Sequence, residues 1–195
     1  NVLNLKKSKI LLLLLMVPHS GRNYDEIYKK QSNLLLSELR KSEDSYIDLL
    51  FQERFLDFNY LKANFPRIMV DVNRSPLEID LSMWDLKENL KLSISNSQKV
   101  IAGIGVFPKI SFSGKSIYRN KLPFSEARRR LLKYYFPYHK SIKLFIKAMK
   151  KKHKDVIMLD CHSMSSEIVS NNIDIILSDN LGKSSHIKIL DLLKH

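Results

Sequence analysis

An α/β fold built on a mainly parallel sheet is what this sequence predicts, and three observations carry the prediction. Short continuous runs of Ile, Leu, Val and Met, above all Ile10 to Val17 and Val156 to Leu159, are bounded by polar or turn residues. Strands buried on both faces of a sheet have that character. Segments of helical spacing alternate with these runs along the chain. Finally, both runs deliver a histidine followed at once by a serine, in Pro18-His19-Ser20-Gly21 and in Asp160-Cys161-His162-Ser163-Met164. Open α/β sheets hold ligands at the carboxyl ends of their strands, so two histidines far apart in sequence are brought to one edge.

The elements follow in order. After the first strand and a Pro18 to Tyr24 loop, Tyr28 to Leu39 places Tyr28, Leu34, Leu35 and Leu39 at positions compatible with a helix. Ser42-Glu43-Asp44-Ser45 is a cap for a second helix, whose inner stripe is Tyr46, Ile47, Leu50 and Phe51. Arg67 to Asp71 reads as another apolar strand, ended by Ser75-Pro76. Leu77 to Asn96 is polar and irregular, and Val100 to Phe107 reads as a further strand. Ser113-Gly114 marks a turn before Ile117-Tyr118-Arg119. Ser125 caps a helix through Ala127, Leu131, Leu132 and Tyr135, which Pro137 should kink or restart before Ile142, Leu144, Phe145, Ile146 and Met149. A strand over Ile173 to Leu177 and a last helix over Ser184 to Leu193 complete the reading.

Length and composition narrow the class. A chain of 195 residues buries roughly 70% of its extended surface, enough for a core without crosslinks. Its single cysteine excludes an internal disulfide. Lys6, Lys7 and Lys9 precede the first apolar run as in a targeting segment, but that run is short, no small-residue cleavage site follows, and a histidine motif comes at once. No run approaches the roughly 20 apolar residues of a membrane span. The net charge of +13 raises nucleic acid as a partner. The lysines are scattered, however, and the dense cluster Lys147 to Lys154 falls where a helix should end, where cations are favourable. Neither nucleic acid nor membrane is therefore expected as a partner.

The candidate site is read residue by residue. His19 and His162 form the leading pair, since neutral imidazole is the commonest zinc ligand and a carboxylate usually completes a catalytic set. Glu43, Asp44 and Asp48 lie together at a helix start, and each could be ligand or cap. Asp160 stands two residues before His162, so in extended chain it shares a face and could orient the imidazole. Cys161 points to the opposite face and reads as a small buried hydrophobe rather than a nucleophile. Gly103-Ile104-Gly105 lacks the third glycine of a dinucleotide fingerprint. Arg74, beside Asn73, is a bidentate partner for a carboxylate or a structural ion pair with Asp71. Arg67, Arg119 and Arg130 could polarise a carbonyl or form ordinary ion pairs, and His139 is a core or a site histidine.

Taken in order, Pro18-His19-Ser20-Gly21, Glu43-Asp44, Asp71-Val72-Asn73-Arg74, Tyr118 with Leu122, Glu126 and Arg130, Pro137-Tyr138-His139, and Asp160-Cys161-His162-Ser163-Met164 resemble the N-formylglutamate amidohydrolase (deformylase) family. The resemblance runs from Ile10 to Leu193. It implies a three-layer α/β/α sandwich with a mixed, mainly parallel sheet, similar to zinc carboxypeptidases and aspartoacylase. It also implies a Zn2+ cofactor and a cytoplasmic hydrolase releasing formate and glutamate from a small acidic N-acyl amino acid.

By the same resemblance His19 and His162 match the zinc histidines, and Asn73 and Arg74 the pair that holds a substrate carboxylate, while Arg67 is taken as a further substrate-binding cation. Among the arginines Arg130 is taken as the catalytic cation, and Asp160, Ser163 and His139 are expected to support the site from behind. The related carboxypeptidases carry a glutamate ligand where this chain has Arg22, so Asp44 is the expected third ligand. The family's general base lies on a late strand beyond His195, which implies one domain over 1–195 with its C-terminal portion missing. Glu167 is a conceivable substitute base. A truncated, inactive homologue that still binds metal or ligand is the alternative function, and a basic nucleic-acid binder with a steep salt dependence is a third. Oligomeric state is not readable.

Overall fold

A computed structural model describes residues 2–6, 12–52, 59–86, 94–153, 155–165 and 173–193. Its principal sheet has four strands in the order β1-β3-β2-β6: β1 (Leu3–Lys6), β2 (Leu13–Val17), β3 (Asn59–Ala63) and β6 (Ile157–Asp160). β2 lies inside the sheet, parallel to β3 on one side and to β6 on the other, while β1 closes the edge antiparallel to β3. The sheet is thus mixed and mainly parallel, as the sequence predicts.

The alternation of side chains along β2 explains the layers. Leu14 and Met16 join Leu61 and Ala63 of β3 in the larger core, with Tyr138 and Phe145. Leu15 and Val17 point the other way, with Tyr60, Ile47 and Phe51. An apolar residue at every position is what a strand covered on both faces requires. One cover is the long helical segment α5 (Phe124–Arg130) and α6 (Phe136–Lys150), and the other is the short α3 (Ile47–Gln52). A two-residue parallel pair, β4 (Trp84–Asp85) with β5 (Leu122–Pro123), is packed around Trp84, which meets the Phe107 ring edge-on at 5.1 Å.

Pro137 acts as expected but by a specific route. Between α5 and α6 the turn over Leu131–Tyr135 widens to π-helical, with the Phe136 N–H reaching back five residues to the Leu131 carbonyl. Proline has no N–H for the carbonyl four residues earlier, and the wider turn relieves the crowding of its ring.

Of the inner stripe expected for α3, Tyr46 and Leu50 are exposed, and four further elements differ in type or extent. Tyr28 to Leu39 is not one helix but two, α1 (Asp25–Lys30) and α2 (Leu36–Arg40). The break lies where Ser32 Oγ accepts the Leu34 N–H at 3.0 Å, a local bond that competes with the helix. Arg67 to Asp71 is a turn, closed by Met69 N–H to Pro66 O at 3.0 Å. Val100 to Phe107 begins inside α4 (Gln98–Ile101), which Ser97 caps and which ends at Gly103 with φ +73°. Ile173 to Leu177 forms no strand, and Ile173, Ile175, Ile176 and Leu177 are exposed. Apolar composition signalled burial throughout Ile68 to Val70, only in part in the two helical segments, where Leu35 and Ile101 are exposed, and nothing in the fourth.

The chain divides into two units, Asn1–Ser163 and Met164–His195. In the second, a turn with positive φ at Asn180, Leu181 and Gly182 precedes α7 (Ile187–Leu193). Among the described residues, no helix is long and apolar enough to cross a membrane.

Candidate metal centre

β2 and β6 are parallel neighbours in register, Met16 opposite Asp160, so the loops leaving their carboxyl ends emerge side by side. That register delivers His19 and His162 to one place, their ring centroids 4.9 Å apart. The third residue comes from the loop before α3. The Asp44 N–H donates to the His19 carbonyl at 3.1 Å, and Ser20 Oγ donates to the Asp44 carbonyl at 2.6 Å. Gly21 is required beside them, because a Cβ there would stand 2.2 Å from the Phe65 carbonyl oxygen. Ligand atoms of His19, Asp44 and His162 all lie within 4.8 Å of one another.

The hydrogen bonds decide which nitrogens are presented. His19, 2% exposed, gives its Nε2–H to Asp71 Oδ1 at 2.9 Å. Its Nδ1 is buried without a hydrogen bond, although Asp44 Oδ2 stands 3.4 Å away. His162 mirrors the arrangement, with Nε2 3.0 Å from Asp160 Oδ2 and Nδ1 2.8 Å from the same Asp44 Oδ2. A carboxylate behind each imidazole fixes its tautomer and leaves the other lone pair for a metal. An orphaned buried imidazole nitrogen, which costs stability if nothing fills the gap, is the mark of a residue set that fits a cation.

Charge reinforces the geometry. Burial opposes ionisation of Asp44, but His162, His19 and Arg67 outweigh it and hold its carboxyl well below the usual carboxylate range. Burial likewise opposes the charge of Asp71, and His19 with Arg67 overcomes it. For His162 burial disfavours the cation, yet Asp160 and Asp44 together push its pKa up to about 9. A cation entering the site would therefore displace a proton from His162 at neutral pH.

The structure sorts the three acids that the sequence left open. Glu43 pairs with Arg22 and Arg40 at 3.3 and 3.0 Å, and Asp48 with Arg22 and Lys62. Both are thereby turned away, and Asp44 is left facing the histidines. Arg22 is itself part of that ion-pair network.

Asn73 is brought into the cluster, its Nδ2 donating to Asp160 Oδ2 at 2.6 Å and lying 3.0 Å from His162 Nε2. Arg74 follows it, with Nε donating to the Ile104 carbonyl at 3.2 Å and Nη1 to the Asn73 carbonyl at 3.4 Å. Arg67 donates to Asp71 Oδ2 at 2.9 Å and lies 3.7 Å from Asp44 Oδ1. His139 donates from Nε2 to the Val72 carbonyl at 3.0 Å, and Ser163 is exposed.

Arg130 is placed elsewhere. It is 0% exposed and bonds Glu126, Gln31, Tyr118 and the Met69 carbonyl, none of them a member of the cluster. Cys161 packs beside Leu159, and burial pushes its thiol up to about 11, far from a thiolate nucleophile. Glu167 lies outside the described residues. The sequence reading missed Asp71 as the partner of His19. Its signal was an acid at the end of an apolar run that packing would bury.

Comparison with known proteins gives the family and the fold. The profile of the N-formylglutamate amidohydrolase family matches residues 11–195. No curated protein matches the chain. The crystal structure of N-formylglutamate amidohydrolase from Ralstonia eutropha JMP134 superposes with a TM-score of 0.82 at 25% identity, covering 98% of this chain and 71% of that one. A profile match that includes β2, β6 and every residue of the His19–Asp44–His162 cluster, on a shared α/β fold, places this chain in the N-formylglutamate amidohydrolase family.

Proposed function

We propose that the site hydrolyses the formyl amide of N-formyl-L-glutamate with zinc as its cofactor, giving formate and glutamate. The observation that carries this reading is the buried, unbonded Nδ1 of His19, facing Asp44 and His162 while Asp71 holds its other nitrogen. His19, Asp44 and His162 would hold the ion. Zinc, when bound, supplies a Lewis acid for the formyl oxygen and lowers the pKa of water from about 15.7 toward about 7.

The remaining residues bind and orient. Asp71 and Asp160 lock the two imidazoles, so that neither has to rotate when the cation enters. Arg74, one-fifth exposed at its side chain, would clamp a substrate carboxylate, with the second amide proton of Asn73 beside it. Arg67 balances Asp44 and Asp71 and presents a second cation to the anionic substrate. Arg130 we assign to the framework, because all of its bonds run to the protein interior.

Formate release from N-formyl-L-glutamate by the zinc-loaded chain tests the proposal, with metal content measured on the same samples. His162→Ala should lose the metal. Arg74→Ala should keep it and weaken substrate binding by about tenfold or more, the worth of a charge-assisted hydrogen bond. Full metal and full activity in both variants would overturn the assignment.

A further inference from the structure

Asn73 and Arg74 sit on a loop that has no strand on either side, and the start of α6 holds it. Tyr135 Oη donates to the Arg74 carbonyl at 2.8 Å, and His139 Nε2 donates to the Val72 carbonyl at 3.0 Å. The two acceptors flank Asn73. A carbonyl only accepts, so His139 is in the Nε2–H tautomer, and its ring lies against that of Tyr135 at 4.4 Å. From the other side, Asp71 Oδ1 accepts the Asn73 N–H at 2.9 Å and the Asp71 carbonyl accepts the Arg74 N–H at 3.2 Å.

The π turn makes this grip available. Adjacent residues of a regular helix point about 100° apart, so one of two neighbours usually faces outward. Here Tyr134 and Tyr135 are both buried. Tyr134 packs on the Phe65 ring at 4.8 Å, and Tyr135 reaches the Arg74 carbonyl. Wide turns of this kind are frequent where a helix serves a functional site.

We propose that Tyr135 and His139 are positioning residues: gripping the backbone on both sides of Asn73, they set where the Asn73 amide and the Arg74 guanidinium meet an anionic ligand. The proposal rests on the reading of Asn73 and Arg74 as carboxylate binders. It adds the device that aims them, and assigns Tyr135 a task that its burial alone does not suggest.

Tyr135→Phe keeps the ring and deletes the hydroxyl. In the zinc-loaded chain, L-glutamate binding measured by calorimetry should weaken about three- to tenfold, with zinc affinity within twofold of the parent. Arg74→Ala should weaken it more, and Tyr135→Phe should cost less in that background, since only the Asn73 amide remains to be aimed. His139→Leu should weaken binding, and His139→Gln, which keeps a donor, should restore most of it. A loss below twofold for Tyr135→Phe, or an equal loss with and without Arg74, would overturn the proposal.

Amide hydrogen exchange separates this proposal from the reading beneath it. Tyr135→Phe should speed exchange of the Asn73 and Arg74 amides about tenfold without changing those of β2 and β3. If Arg74→Ala leaves glutamate binding intact, the carboxylate reading fails, and exchange still decides whether Tyr135 holds the loop. Unchanged exchange at Asn73 and Arg74 overturns the positioning role in either case.

Discussion

Replacing Arg130 by methionine removes a fully buried guanidinium while keeping much of its volume. The bonds lost are to Glu126 Oε1 at 2.9 Å, Tyr118 Oη at 2.8 Å, Gln31 Oε1 at 2.6 Å and the Met69 carbonyl at 3.2 Å. Glu126 is not stranded, because Arg129 still donates to it at 2.6 and 2.8 Å. The cost therefore falls below that of an orphaned buried charge and rests mainly on three neutral acceptors left short of a donor. At about 1 kcal/mol or more each, together with the weakened carboxylate pairing, the loss comes to about 3–5 kcal/mol. In a protein of this size that lowers Tm by roughly 6–20 °C. Urea denaturation followed by circular dichroism should show the midpoint falling with the slope unchanged. Arg130→Lys should recover less than half, since a point charge cannot serve four directions. A loss under about 1 kcal/mol, or an intact fold with altered ligand affinity, would refute the framework role and return Arg130 to the chemistry.

Three further outcomes follow from the same geometry. Asp71→Asn should weaken zinc binding by about 10- to 100-fold, as measured by chelator competition, because His19 loses the carboxylate that fixes its tautomer. Burial opposes the charge of Glu126, but Arg129 and Arg130 overcome it and lower its pKa to about 2. Its ionised form thus contributes stability that is fully present above the ordinary carboxylate pKa and is lost as pH falls from about 4.5 toward 2. Glu126→Gln should flatten the stability profile in that window, and an unchanged acid limb would contradict it. Gly21→Ala, forced against the Phe65 carbonyl, should cost more than about 2 kcal/mol, whereas Gly114→Ala, strained only by its φ of +76°, should cost about 1 kcal/mol. Equal effects of the two substitutions in thermal unfolding would contradict the close approach at Gly21.

What was legible in the sequence is what a strand buried on both faces imposes on every one of its residues. Leu13–Val17 has no freedom to be polar, and the histidine that follows it stands at the sheet's carboxyl edge whatever surrounds it. Arg67 to Asp71 looked the same because a turn packed from all sides also excludes polar groups. Composition reports burial, while pairing depends on distant residues. The Asp71 N–H donates to the Val106 carbonyl at 2.8 Å, in a segment itself taken for a strand. The spacing of the residues alone left Asp44, Glu43 and Asp48 open for a related reason, and only the family resemblance favoured Asp44. The choice is made by Arg22, Arg40 and Lys62, which draw the other two carboxylates away and are not sequence neighbours of both. Arg130 shows the converse, since its i−4 partner Glu126 is visible in sequence but Gln31 and Met69 are brought to it only by the fold.

In the proposed site two strand ends and one loop converge so that His19, Asp44 and His162 would hold a metal. Zinc titration of the metal-free chain against a chromophoric chelator, with the His19→Ala, His162→Ala double variant as reference, tests it most directly. The expected result is about one tightly held zinc per parent chain and none in the variant. Equal zinc uptake by the two proteins, or none by either, would contradict it.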